Sequence, residues 1–468
     1  MTAGTLEADL CVLGGGAGGL ATAIGAARMG ARVVLVEAER LGGECLHSGC
    51  VPSKSLLAIA RAEAEAARGF DAETRAEAFE RARRHVARTI RAIAHHDSEE
   101  RLRALGVQLV RGAGRFTGPR ELEAAGMRIR ARRFVVATGS RPHIPDIPGL
   151  AGANVLTTDD IFGLESAPEH LLVVGAGPSG VELAQAFRRL GSRVSVVEAH
   201  RMLGGEDPEL VDWIRRALAR EGIELFEGIA DLRAGPAAAL RFRWQEREVG
   251  LSGSHLLLAC GRRPRVDGLG LEEAGVGYDH TGIRVDRRLR TTNRRIYAVG
   301  DVIGRAPYSH AAAHEAQVVL KQALLRIPAR PRHCAIPRVV YTDPELAQVG
   351  ESEAEARARG ETVEVIRIPF AESDRARCEG REEGLVKLVV GRRRRLLGAG
   401  VVGPQAGELI APLVLAVAGR LPLHALAAAP FPYPTRMEAV KRAAGRALEP
   451  LVFGTWTRRL VRALAALG

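Results

Sequence analysis

Two cysteines with the spacing of a redox pair, Cys45 and Cys50, lie in the segment 42–54, which reads GGECLHSGCVPSK. Pro52 is suited to a first helical turn, where its missing N–H costs no hydrogen bond. The start of a helix favours a thiolate over a thiol, and two thiols at one turn can alternate between dithiol and disulfide. The pattern predicts a redox-active pair. A structural or metal-binding pair stays open, although the sequence shows no two further ligands at a zinc spacing.

Two glycine-rich segments each stand between an apolar run and a helical pattern. An acidic residue, Glu37 or Glu198, lies 23 positions after the first glycine of its copy. Such a turn and helix N-terminus bind a pyrophosphate, and the acid binds a ribose. Two copies at equal spacing predict two dinucleotide-binding units rather than ordinary glycine turns. The glycines are Gly14, Gly16 and Gly19 in the first copy and Gly175, Gly177 and Gly180 in the second.

Composition limits the other function classes. The 468 residues exceed what one hydrophobic core supports, and the net charge of +12 is not accompanied by aromatic residues within basic runs. We therefore expect several domains and no nucleic-acid partner. Six cysteines in so long a chain predict no disulfide framework, and no apolar run reaches the ~18 residues of a membrane span. Because the first residues are polar and lead directly into a strand, we also expect no signal peptide. We expect a cytoplasmic protein.

The C-terminal segment 456–467 sets apolar residues against arginines, which predicts a basic amphipathic helix. Such tails usually dock on their own protein, and we expect this here, with contact to a membrane surface as the alternative.

The chain resembles the pyridine nucleotide-disulfide oxidoreductases of the glutathione reductase, dihydrolipoamide dehydrogenase and mercuric reductase group. The resemblance covers nearly the whole chain. It is carried by Gly14–Gly19 with Glu37, 42–54, Ala137-Thr138-Gly139, Gly175–Glu182, Tyr297–Asp301, Thr342–Glu345 and Asp374–Ala376. It implies an α/β fold with two Rossmann-like dinucleotide-binding domains and a C-terminal α+β dimerisation domain. The expected ranges are 1–148 and 266–335 for FAD, 149–265 for NAD(P), and 336–468 for the interface of a homodimer.

The same resemblance implies a role for individual residues. Cys50 would lie against the flavin and Cys45 would exchange with the substrate, while Lys54 near flavin N5 pairs with Glu182. Asp301 would bind the ribityl chain of FAD. Further expected cofactor contacts are Thr138, Gly139, Gly261 and Gly300, and no resident metal is expected.

One position departs from the thiol-disulfide members, which carry His-Pro-Thr followed by Glu, the His being the base. Here Tyr433 replaces that His, while Thr435 and Glu438 align. A phenol titrates near pH 10, so it is a poor base at neutral pH but a good hydrogen-bond donor. Mercuric reductases resemble this site but add a C-terminal cysteine pair, which 462–468 does not show. His47 could supply the base, although a solvent-facing turn residue is the preferred interpretation.

Two functions therefore stay open. One is a dihydrolipoamide dehydrogenase-like enzyme that acts on a small disulfide or a carrier-bound lipoyl group. The other is a mercuric reductase-like metal-ion or quinone reductase. NAD(H) is expected over NADP(H), because a carboxylate at Glu198 would repel a 2′-phosphate, although His200 and Arg201 could weaken the preference.

Overall fold

The computed structural model describes residues 4–66, 71–419 and 421–467. Its α-helices are α1 (Ala17–Arg28), α2 (Gly43–His47), α3 (Cys50–Ala66), α4 (Ala72–Ala94), α5 (Glu99–Ala104), α6 (Pro178–Arg189), α7 (Pro208–Arg220), α8 (Ser309–Ala323), α9 (Glu353–Ala358), α10 (Asp374–Cys378), α11 (Ala406–Leu409), α12 (Ala411–Val417), α13 (Leu423–Ala428), α14 (Met437–Val452) and α15 (Thr455–Ala465). Short 3-10 helices lie at His95–Asp97, Leu150–Gly152, Ile161–Gly163, Gly300–Ile303, His333–Ala335, Phe370–Glu372 and Arg392–Arg394.

The β-strands alternate with these helices along the chain, and several strands follow one another directly. They are β1 (Thr5–Leu13), β2 (Val33–Glu37), β3 (Val107–Arg111), β4 (Gly114–Gly118), β5 (Glu121–Ala124), β6 (Met127–Val136), β7 (Ser140–Pro142), β8 (Val155–Thr157), β9 (His170–Val174), β10 (Arg193–Glu198), β11 (Glu224–Glu227), β12 (Ala230–Gly235), β13 (Ala238–Trp244), β14 (Arg247–Gly253), β15 (His255–Leu258), β16 (Arg262–Pro264), β17 (Tyr278–Asp279), β18 (Gly282–Ile283), β19 (Ile296–Ala298), β20 (Arg338–Val340), β21 (Glu345–Gly350), β22 (Glu364–Pro369), β23 (Leu385–Val390) and β24 (Leu396–Gly403).

Contacts divide the chain into two compact units. One comprises the described residues of 1–199 and 229–333, and the other those of 200–228 and 334–468. The segment 200–228, with α7 and β11, thus belongs to the same unit as the C-terminal region. The domain ranges expected from the sequence stay predictions.

The first sheet of the larger unit has the order β3-β2-β1-β6-β5-β4, with β19 also paired to β6. Strands β1, β2 and β6 are parallel, and their carboxyl ends are aligned, with Leu13 opposite both Val36 and Val136. All five residues of β2 are buried, as expected for a central parallel strand. The common end of these strands is the edge at which α/β sheets bind ligands.

A second parallel sheet in the same unit contains the strand order β10-β9-β15-β8. Val174 at the end of β9 is in register with Val197 and with Leu258. This repeats the arrangement of the first sheet, so the α/β fold class and the two Rossmann-like units are confirmed. Smaller antiparallel sheets, β12-β13-β14, β16-β7 and β17-β18, complete the unit.

The other unit contains an antiparallel sheet in the order β20-β21-β24-β23-β22. Its strands alternate with helices as the C-terminal sequence predicts, and α14 packs on the sheet through Ala439, Val440, Ala443 and Ala444. The interior of the sheet carries Val386, Leu388 and Val401, all fully buried. The expected α+β character of this region is confirmed.

Candidate active site

The two cysteines lie on a tight turn between two helices. Cys45 is in the five-residue helix α2, and Cys50 is the first residue of α3. Gly42 has φ 91°, a conformation that favours glycine, and a Cβ there would lie 2.5 Å from a side-chain atom of Leu46. The predicted position of the pair at a helix start is correct. Both cysteines are free thiols, Cys45 half-buried and Cys50 exposed.

The two thiols differ sharply in acidity. The pKa of Cys50 is lowered to about 6, chiefly because Cys45 donates a hydrogen bond to it. Burial opposes this shift, whereas Ser309 and the positive charge of Lys54 add to it, and the Oγ of Ser309 lies 3.6 Å from the Cys50 Sγ. The pKa of Cys45 is raised, because it is the donor of that hydrogen bond and is partly buried. Near neutral pH the pair therefore holds one thiolate, on Cys50.

An ion pair stands beside this thiolate. The Nζ of Lys54 donates to Oε2 of Glu182 at 2.7 Å, with the Glu182 side chain 4% exposed. Lys54 lies one helical turn after Cys50 on α3, and Glu182 lies on α6 after the second glycine turn. The contact that the sequence resemblance implies between these two residues is present.

The first glycine turn has the shape of a dinucleotide cradle. Gly14 has φ +104°, and a Cβ there would lie 2.3 Å from the carbonyl oxygen of Ala137. A Cβ on Gly19 would lie 1.8 Å from the carbonyl oxygen of Gly14, so strand and helix touch there. At Gly16 a Cβ would meet nothing closer than 3.9 Å, which leaves the backbone at the start of α1 open to a ligand. The residues fit a bound FAD pyrophosphate.

The second turn repeats this geometry. Gly175 has φ +103°, and its Cβ would lie 2.5 Å from the carbonyl oxygen of Ala259. A Cβ on Gly180 would lie 2.0 Å from the Gly175 carbonyl oxygen, and at Gly177 nothing lies within 4 Å. Each glycine of the second turn thus has the same conformation or close contact as its counterpart in the first turn, as a second dinucleotide site requires.

The two acidic residues also take equivalent places. A carboxylate oxygen of Glu37 accepts the N–H of Gly15, and Oε2 of Glu198 accepts the N–H of Ala176 at 2.8 Å. Each carboxylate is thus held against its own glycine turn, where the ribose-binding acid of a dinucleotide fold is found.

Asp301 is part of a hydrogen-bonded chain that the sequence did not reveal. Ser140 Oγ donates to Asp301 Oδ2 at 2.6 Å and accepts from Nε of Arg262 at 2.9 Å. The N–H of Gly300 donates to Oε2 of the buried Glu315 at 2.7 Å. Asp301 is thereby fixed at the carboxyl end of β19, the edge at which the ribityl chain of FAD is expected.

Arg262 also reaches the redox turn. Its Nη1 lies 3.2 Å from Asp159 and 3.5 Å from Glu44, the residue before Cys45. Ser48, between the two cysteines, donates to Asp159 at 3.2 Å. Burial raises the pKa of Glu44 to about 7, against the lowering effect of Arg262. Arg262 therefore positions the turn from outside it.

The remaining cofactor candidates support backbone turns. Thr138 donates its hydroxyl to the carbonyl of Arg265 at 2.8 Å, and Gly139 accepts the N–H of that residue. Gly139, Gly261 and Gly300 all have positive φ. These residues lie at the ends of the two parallel sheets, and their contact with a cofactor stays a prediction.

His47 is not the solvent-facing residue expected. It is half-buried, and its Nε2 lies 2.9 Å from the carbonyl oxygen of Leu41. This contact with the carbonyl oxygen of Leu41 braces the loop that leads into α2. The role of His47 as a base stays a prediction.

Tyr433 and Glu438 lie in the unit that contains the C-terminal region. Tyr433 is 73% exposed, and its hydroxyl donates to Oδ2 of Asp374 at 2.9 Å. That hydrogen bond raises the pKa of Tyr433 above its ordinary value of 10, with Glu438 contributing further. Glu438 is bonded to Arg442 at 2.7 Å, and its buried Oε2 has no partner among the described residues. The phenol is thus a hydrogen-bond donor and not a base.

Sequence reasoning missed Ser309, Arg262, Asp159 and Glu44. Arg262 directly follows the predicted Gly261, which is the one local signal that could have drawn attention to it. In the part of the chain that the structure describes, no three His, Cys, Asp or Glu side chains are arranged to hold a metal ion. No described helix is both long and apolar enough to cross a membrane.

Comparison with known families assigns the chain. The family described as pyridine nucleotide-disulphide oxidoreductase matches residues 8–317, and the dimerisation domain of the same family matches residues 336–444. The chain belongs to the pyridine nucleotide-disulphide oxidoreductases. It is a flavoprotein disulfide oxidoreductase of a family that depends on FAD and a pyridine nucleotide, which confirms the resemblance seen in the sequence.

Individual relatives span nearly the full chain. A dihydrolipoyl dehydrogenase of Thermus scotoductus is 37% identical over 93% of this chain and 96% of its own length. A mercuric reductase of Streptomyces lividans is 35% identical over 93% and 95%. Among solved structures, an HOCl-induced flavoprotein disulfide reductase from Escherichia coli has a TM-score of 0.83 at 26% identity, covering 93% of this chain and 99% of that one. LpdA from Mycobacterium tuberculosis has a TM-score of 0.83 at 28% identity, covering 94% and 99%.

Proposed function

We propose that this enzyme transfers two electrons between NAD(H) and a dithiol or disulfide substrate, with a carrier-bound lipoyl group as the preferred substrate. The observation that supports it is the unequal thiol pair, in which Cys45 donates a hydrogen bond to a Cys50 of pKa about 6. Bound FAD, held at the first glycine turn, would supply the electron carrier between the cysteine pair and the nicotinamide.

The two cysteines have different roles in the exchange of electrons with the substrate. A substrate dithiol gives two electrons to the Cys45–Cys50 disulfide, which becomes a dithiol as the substrate becomes a disulfide. Cys45, the thiol of raised pKa, exchanges with the substrate, while Lys54 and Ser309 hold the negative charge on Cys50. The oxidised pair is restored when the electrons pass on to NAD⁺, with release of one proton.

The enzyme is proposed to work as a C2 homodimer in the cytoplasm. The match of residues 336–444 to a dimerisation domain supports the homodimer, and the dependence of a dithiol cycle on reducing conditions supports the location. In the dimer Tyr433 and Glu438 would approach Cys45 of the partner subunit. The proposed domains are an FAD-binding domain of residues 1–148 and 266–335, an NAD(P)-binding domain of residues 149–265, and an interface domain of residues 336–468. Sedimentation that gives an active monomer at micromolar concentration would refute the homodimer.

A second function, reduction of a soft metal ion or a quinone, is favoured by the state of Tyr433. Its pKa is raised by Asp374, so it does not accept the thiol proton that disulfide exchange releases. A metal ion bound as substrate between two thiolates requires no such base. Steady-state oxidation of NADH with a lipoyl group on a carrier protein, free lipoamide, Hg(II) and a soluble quinone, run in parallel, tests both functions. The proposal requires the highest kcat/KM for the carrier-bound lipoyl group, with free lipoamide turned over slowly.

A further inference from the structure

The helix at the C-terminus, α15, presents two chemically different faces. Trp456, Leu460 and Leu464 are spaced by four residues and share one face, with Val461 beside them. They are 73%, 40%, 58% and 59% exposed, and no residue of α15 is buried. The docking of this segment on its own chain, expected from the sequence, is therefore wrong for the chain as the structure describes it.

The opposite face of α15 is uniformly basic. Arg458 and Arg462 are one turn apart with Arg459 next to them, and all three are exposed. From residue 451 to the end of the sequence there is no Asp or Glu. The helix thus offers positive charge that has no acidic neighbour in its own segment.

The apolar surface continues before the helix begins. Leu451, Val452 and Phe453, at the end of α14 and just after it, are 62%, 50% and 65% exposed. Leu451 also lines a cavity of about 880 Å³ whose other walls include the arginine turn 392–395. Through Leu451, the exposed apolar residues at the end of α14 thus lie next to the arginines of 392–395.

We propose that α15 binds the surface of an anionic phospholipid bilayer. A helix with aromatic and aliphatic side chains on one face and arginines on the other lies in the interface, with its apolar face among the acyl chains and its charges at the headgroups. The cytoplasmic leaflet carries such anionic lipids. Such binding would bring an electron-transferring enzyme to a membrane surface.

A second copy of the chain fits this surface less well. Symmetric packing of α15 against its copy would cover the apolar face, but it would also bring together two sets of arginines. The segment 451–467 has no carboxylate to pair with them. Anionic headgroups satisfy both faces at once, and this charge complementarity decides between the two occupants.

Vesicle co-sedimentation of the full-length, FAD-loaded enzyme tests the proposal. We expect binding to vesicles of phosphatidylglycerol and phosphatidylcholine, at least tenfold weaker binding to pure phosphatidylcholine, and weakening as salt increases. Arg458→Glu with Arg462→Glu should abolish the preference for anionic vesicles, and Trp456→Ala with Leu460→Ala should weaken binding roughly tenfold or more. The matched controls are Arg287→Glu with Arg294→Glu, and Leu325→Ala with Ile327→Ala, exposed residues outside α15.

Depth of insertion gives a second measurement on the same protein. Brominated lipids should quench the tryptophan fluorescence of the wild type, and Trp456→Phe should remove that additional quenching. NADH oxidation in the absence of vesicles should be equal in all these variants. Failure of the wild type to bind anionic vesicles, or equal binding by the α15 and control variants, overturns the proposal. A further contradicting result would be that removal of 455–468 converts the dimer to a monomer and leaves vesicle binding unchanged. That result would overturn the proposal and assign the surface to a second copy of the chain.

Discussion

The Nζ of Lys54 lies 2.7 Å from Oε2 of Glu182, and this ion pair joins α3, which begins at the redox cysteine, to α6, which follows the second glycine turn. Glu182 is almost fully buried, so the positive charge of Lys54 helps to offset the cost of a buried carboxylate. The two residues act on the Cys50 thiolate with opposite sign, since Lys54 lowers its pKa and Glu182 raises it.

Neutralising Lys54 and neutralising Glu182 should shift the pKa of Cys50 in opposite directions. A thiolate beside oxidised flavin absorbs at long wavelength, and this absorbance in the two-electron-reduced enzyme should be lost as the pH falls through about 6. Lys54→Met should raise the midpoint by roughly one unit or more, whereas Glu182→Gln should lower it. Lys54→Arg, which keeps the charge, is the control. Equal midpoints in Lys54→Met and the wild type would show that the lysine does not stabilise the thiolate.

Glu198 is expected to select NAD(H). Glu198→Ala should lower kcat/KM for NADH by about 10-fold, because a charged hydrogen bond to the ribose is lost. The same change should raise kcat/KM for NADPH, because a 2′-phosphate is no longer repelled. Glu248→Ala, at an exposed carboxylate on β14, is the control for loss of a surface charge. A wild type that uses NADPH as well as NADH contradicts the assignment.

Tyr433 distinguishes the two proposed functions. Free lipoamide and glutathione disulfide should be turned over slowly by the wild type, since a positioned base contributes about 10²–10⁴-fold and the phenol supplies none. Tyr433→His should raise this activity. Tyr433→Phe should leave slow turnover of small disulfides unchanged and lower activity with the true substrate, if the hydroxyl orients it. Rapid wild-type turnover of dihydrolipoamide at neutral pH, unaltered in both variants, would remove Tyr433 from the mechanism.

The local parts of the site could be predicted from the sequence. The glycine turns follow from strand, turn and helix patterns, and the structure shows why, since a Cβ at Gly14 or Gly175 would collide with a neighbouring carbonyl oxygen. The position of Cys50 at the start of α3 follows from Pro52. The contact of Lys54 with Glu182 was available only through the resemblance, because the two residues are 128 positions apart.

Other features depend on contacts that no local pattern encodes. Ser309 contacts Cys50 from 259 positions away, and Arg262 contacts Asp159 from 103 positions away. The exposure of α15 was also not predictable. An amphipathic pattern indicates that the apolar face is covered, but it does not identify the surface that covers it.

Single-cysteine variants give the most direct measurement of the central claim, that Cys50 carries the thiolate and Cys45 exchanges with substrate. Absorption spectra of the FAD-loaded Cys45→Ser and Cys50→Ser enzymes, recorded at neutral pH without reductant, should differ. Cys45→Ser should show the long-wavelength band, with a midpoint near 6 because a serine hydroxyl still donates a hydrogen bond to the Cys50 thiolate, and Cys50→Ser should lack the band at every pH. The same spectrum in both variants, or a band confined to Cys50→Ser, would contradict the account.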